Sequence, residues 1–75
     1  MSTADEVKEE ALSLAQAGLN KEQAISLLMA RADRRVPVVM AKRLLEGRLV
    51  DDPSDAVVSA LKLVEEVLER GNWAE

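Results

Sequence analysis

Apolar residues recur at three- and four-residue intervals through almost the whole of this chain. The row is interrupted at three places: "AGLN" at residues 17–20, "DRRVP" at 33–37 and "DDPS" at 51–54. Spacing of that period lays aliphatic side chains along one side of a helix, whereas a strand requires strict alternation. The one β-branched run, "VPVV" at 36–39, contains Pro37, which lacks the donor a sheet ladder needs, and a helical pattern follows it at once. The chain therefore reads as all-α. A compact bundle of four helices is expected over about residues 3–17, 21–33, 36–46 and 53–70, joined by short turns into a single helical domain over residues 1–75.

Each helix has a start signal. Thr3 and Glu6 have capping-box spacing, and Asp5 and Glu6 suit the positive end of a helix dipole; Gly18 is placed to end this first helix. In "LNKEQA" (19–24), Asn20 is the expected N-cap, with Gln23 three positions on and Leu19 set to pack on Ala24 as a staple. Ala24, Ile25, Leu28, Met29 and Ala32 form the inner stripe of that second helix. Pro37 suits the first turn of the third helix and Gly47 its end, with Val38, Ala41, Leu44 and Leu45 facing inward and Met40 at the core edge. "DDPSDA" (51–56) begins the fourth, with Asp52 as N-cap and Pro53 as first helical residue.

With no histidine and no cysteine, the chain lacks the usual proton shuttle, the commonest metal ligand, disulfides and thiolate sites. No enzyme, cofactor or metal site is expected. The serines have no histidine to activate them, no nucleotide-binding glycine loop is present, and the adjacent Asp51 and Asp52 read as helix-start residues before Pro53 rather than as a cation site. The amino terminus is acidic from residue 5 and has no apolar run, so neither a signal peptide nor a membrane span is expected, and a cytoplasmic setting fits.

Charge is segregated along the chain. Residues 31–50 hold six basic groups and two acids, a net of +4, within a chain whose overall formal charge is −4. Arg34, Arg35, Lys42, Arg43 and Arg48 are the candidate contacts to an acidic partner or to nucleic acid, with Arg35, Lys42, Arg43 and Glu46 on the outer side of the third helix. The alternative is that this basic face complements the acidic helices of the same chain. Glu65, Glu66 and Glu69 read as a solvated face, or as a docking surface for a basic partner.

On the fourth helix the apolar arc is wide. It exposes more apolar area than three short, alanine-rich helices are expected to cover, so Val57, Leu61, Val64, Leu68 and Trp73 are candidate self-association residues. Trp73, the only aromatic residue, either inserts into a partner or folds back to close the core.

"GLNKEQAISLL" (18–28) resembles the first helix of a prokaryotic helix-turn-helix, with Ala24 at the small position; residues 20–48 then imply a DNA-binding reading. The tight glycine-bearing turn of that motif is missing from "MARADRRVP". The same stretch also resembles the middle of a ubiquitin-associated three-helix domain, in which Val38, Ala41 and Leu45 would take the closing apolar places. Neither resemblance assigns binding residues. The function expected is a small non-enzymatic protein-interaction module, a self-associating regulator or adaptor using the basic third and amphipathic fourth helices. A helix-turn-helix DNA-binding regulator is the alternative.

Overall fold

The computed structural model describes residues 3–71 and 73. Four helices follow one another: α1 (Ala4–Gln16), α2 (Lys21–Arg31), α3 (Arg35–Asp51) and α4 (Asp55–Arg70), with no strand among the described residues. The fold is an all-α four-helix bundle.

Local chemistry sets three of the four starts. At α1 the capping box is complete: the Glu6 backbone N–H donates to Thr3 Oγ1 (3.2 Å) and the Thr3 backbone N–H to Glu6 Oε1 (3.1 Å). At α2 the Gln23 N–H donates to Asn20 Oδ1 at 2.8 Å. The N-cap of α4 is Ser54, whose hydroxyl accepts the Val57 N–H at 3.4 Å. Gly18 turns the chain between α1 and α2 with φ at +75°, a conformation side chains rarely adopt.

Three sequence expectations are corrected here. α3 does not stop at Gly47 but runs four residues further, to Asp51. A glycine inside a helix costs only about 1 kcal/mol relative to alanine, and the added turn brings Leu49 onto the core and pairs Arg48 with Asp52 (3.7 Å). The stop comes from Pro53, which disfavours helical backbone at the residue before it; Asp52 accordingly leaves the helix at φ −139°. Asp52 is instead the C-cap of α3, its N–H donating to the Arg48 carbonyl at 2.8 Å, and α4 begins only at Asp55 behind the Ser54 cap, so Pro53 precedes that helix rather than opening it. At the other boundary, α2 ends at Arg31 rather than near Asp33, and Ala32 continues in extended backbone while keeping its side chain buried.

The core is aliphatic. α1 and α4 form a central pair, α3 packs on both, and α2 also packs on both, but α2 and α3 do not touch each other among the described residues. Val7, Ala11, Val38, Ala41, Leu45, Ala60, Val64 and Val67 are completely inaccessible. Each of the three mutually packed helices α1, α3 and α4 carries one such alanine, and small side chains of this kind let helix axes approach closely. Met29, expected in the core, lies at its exposed margin (36%), and Leu44, expected to face inward, is 43% exposed.

Trp73 folds back: it is half-buried against the core and its indole N–H donates to the Leu68 carbonyl at 3.3 Å. Gly71 is required there for space rather than for conformation, because a Cβ at that position would collide with the Trp73 ring. At Gly47, by contrast, a Cβ would meet nothing.

Substituting Leu45→Ala removes a fully buried side chain from the α3 seam and is expected to destabilise the fold by about 3 kcal/mol, read as a drop in the denaturant midpoint. Gly47→Ala is expected to act the other way in dilute solution, adding about 1 kcal/mol and raising Tm by about 6 °C.

Candidate functional site

Only Val38, Ala41 and Leu45 of α3 are buried, a seam of i, i+3 and i+7 positions narrow enough to leave most of the helix circumference outside the core. Val36, Met40 and Leu44 follow one another at four-residue steps, and Gly47 and Val50 continue the row at three-residue steps, so all five share one outer face. That face is open. Val36 is 61% exposed, Met40 48% and Val50 83%. Scattered exposed aliphatics are ordinary on a protein surface; a continuous row of them along one helix is not.

This arrangement revises the sequence-based picture of α3, in which charge covered the outside. Of the five basic side chains expected to form one contact surface, Arg35, Lys42 and Arg43 lie with Glu46 along one arc of the helix that overlaps the apolar row at Arg43, whereas Arg48 lies apart from them. Arg43 stands within the apolar row, Arg35 and Lys42 share one flank with Glu46, Arg48 lies on the opposite flank beside Asp52, and Arg34 is the exposed residue preceding the first turn. Arg35 is engaged elsewhere in the chain. Among the described residues, Arg34, Lys42 and Arg43 pair with no carboxylate.

Charge complementation within the chain falls instead on α2. Arg70, in the last turn of α4, grips Glu22 with both terminal nitrogens (2.8 and 3.2 Å) while its Nε donates to Glu66 at 3.1 Å. Lys21 Nζ also approaches Glu66, at 3.6 Å, and Arg31 is held by Glu10 of α1 at 3.2 Å. These contacts tie α2 to its two neighbours. They also occupy Glu66, so the acidic run of Glu65, Glu66 and Glu69 is not a uniform open surface. Sequence inspection missed the Glu22–Arg70 pair, which lies 48 residues apart in the chain.

The residues proposed for self-association on α4 divide. Val57 and Val64 are buried in the chain's own core and present no surface to a second molecule. Leu61, Leu68 and Trp73 are half-buried against that core. Much of the wide arc of α4 is thus covered from within, by α1 and α3 packing along it.

Over residues 20–48, α2 and α3 each pack on the α1–α4 pair rather than on each other. Elsewhere, a groove of about 340 Å³ opens between α1, α2 and α4, lined by Leu14, Leu19, Ala24 and Leu63 with the exposed Lys21 and Lys62. No cluster of acidic, histidine or cysteine side chains able to hold a metal ion occurs among the described residues, and no helix there is long and apolar enough to cross a membrane.

The guanidinium of Arg70, by hydrogen bond first and by charge second, holds the Glu22 carboxyl below its ordinary value of 4.5. Stability from this pair is therefore fully present above that ordinary value and is lost as the pH falls through the lowered one. In Arg70→Gln, the Glu22 carboxyl resonance is expected to titrate at its ordinary pH; an unchanged titration would show that Arg70 is not the cause. No family model, curated protein or solved structure matches this chain.

Proposed function

We propose that this protein is a non-enzymatic interaction module, a small regulator or adaptor that docks protein partners on the outer face of α3. The observation that carries the reading is the row of Val36, Met40, Leu44 and Val50, all exposed among the described residues. Burying one such side chain is favourable by about 1.5–3 kcal/mol, so a partner that covers the row gains a driving force already spent elsewhere in the fold.

Composition supports the same reading. Methionine and arginine are enriched at protein interfaces, where lysine and glutamate are depleted; here Met40 and Arg43 sit among the aliphatics while Lys42 and Glu46 lie to one side. A chain without histidine or cysteine has few means of catalysis, and binding through a rigid helix face requires none. The arginine within an apolar row selects a partner that presents apolar side chains with a carboxylate beside them. Nothing comparable favours DNA: Glu46 lies among Arg35, Lys42 and Arg43, Arg48 lies apart from them, and the overall charge of −4 repels a polyanion.

A photoreactive amino acid placed at position 40 in the living cell is expected to yield protein adducts, while the same probe at position 69, on the exposed side of α4, yields none. Adding Leu44→Asp to the position-40 probe should abolish the adducts while changing stability by about 0.5 kcal/mol or less. No adduct at position 40, or equal yields at both positions, would dispose of the docking face.

A further inference from the structure

We infer that the occupant of this face is a second copy of the chain, whose α3 lies antiparallel across the first and crosses it at Gly47. The inference rests on the docking role proposed for the outer face of α3 and names the partner.

Gly47 is the starting point. It lies inside α3, so it has no need of left-handed backbone; Gly18 is the one positive-φ residue among those described. Nor does it make room for anything in its own chain, since a Cβ built there meets no atom within 4 Å. The single chain thus gives no reason for the weakest helix former after proline inside its longest helix, one turn before the end. Its place supplies one. Gly47 lies within the exposed apolar row, where a missing side chain lets a second helix approach closely.

Register identifies the second helix. Four residues before Gly47 stands Arg43 and four after it Asp51; three before it is Leu44 and three after it Val50. A twofold axis through the crossing therefore sets Arg43 of each copy level with Asp51 of the other, and Leu44 level with Val50. Both pairings occur twice.

Further out, the cationic first half of α3 runs toward the chain after α3 in the other copy, which carries Asp51, Asp52 and Asp55 within five positions, and the helix dipoles oppose each other favourably. Parallel pairing would instead stack arginine on arginine. Among the described residues the other exposed large apolar side chains are Leu19, Leu27 and Met29, of which Leu19 and Leu27 line a separate shallow groove with Glu22, Gln23 and Ser26 and offer no charge pattern that pairs with α3 in this register. An isologous contact of this kind closes on itself as a dimer and leaves no second face to propagate.

Sedimentation equilibrium from micromolar to millimolar concentration provides the test. The wild type is expected to convert from the 8.2 kDa species to twice that mass. Arg43→Asp and Asp51→Arg should each raise the dissociation constant about tenfold, because each change is felt twice across the axis, and the combined R43D/D51R variant should return to near the wild-type value. Gly47→Ala should weaken self-association while raising Tm in dilute solution, a pair of opposite effects that a purely structural glycine would not give. An 8.2 kDa species throughout, or a double variant as weak as the singles, overturns the self-pairing. Position-40 adducts formed with other proteins alone would then retain the docking face while rejecting this occupant, and absence of adducts would reject both.

Discussion

The contact between α1 and α4 is the constraint on which the rest of this bundle depends. Each of the other two helices packs on both members of that pair, and they do not pack on each other. Helices of this length are marginal alone in water, so α2 and α3 hold their positions only while α1 and α4 stay together. The pair is built from aliphatic side chains, with Val7, Ala11, Ala60, Val64 and Val67 all inaccessible to solvent. With no buried polar or charged residue among those described, the core depends on shape and apolar area rather than on a hydrogen-bonded network.

The two outer helices are secured by different means, and the difference determines what each can do. α2 buries Ala24, Ile25 and Leu28 and then uses its charged residues to reach neighbours, Glu22 to Arg70 and Arg31 to Glu10. Its polar groups are spent within the chain. α3 buries a comparable seam of Val38, Ala41 and Leu45, yet keeps an apolar row on its far side with Arg43 among it. A helix that is apolar on two opposite sides satisfies one inside its own domain and leaves the other for something else. That asymmetry sets α3 apart as the face of interest, although α4 carries the more obvious amphipathic pattern.

The length of α3 governs both outcomes. Had the helix ended at Gly47, Leu49 would have been lost to the core and Val50 and Asp51 to the outer face. Because it continues to the residue before the one preceding Pro53, the glycine is carried inside the row, between Leu44 and Val50. The acids that follow the row then stand one helix length from the basic residues that precede it. The local rules that place glycine at helix ends are tendencies of about 1 kcal/mol; packing of one leucine and a proline stop further on outweigh them.

By itself the sequence determined the helical class, the number of helices and the caps at Thr3 and Asn20, because period and capping act over a few residues and are written in adjacent positions. It also indicated that Val38, Ala41 and Leu45 face inward, although it set Leu44 beside them, because α3 carries a second apolar row of helical spacing on its far side. Tertiary structure alone decided that much of α4's broad arc would be covered from within. It decided too that α2 and α3 would lie apart, that Glu22 would meet Arg70 across 48 residues, and that the outer face of α3 would be left bare. Those outcomes depend on which helix packs against which, a competition among apolar faces of similar strength that no short stretch of sequence can resolve.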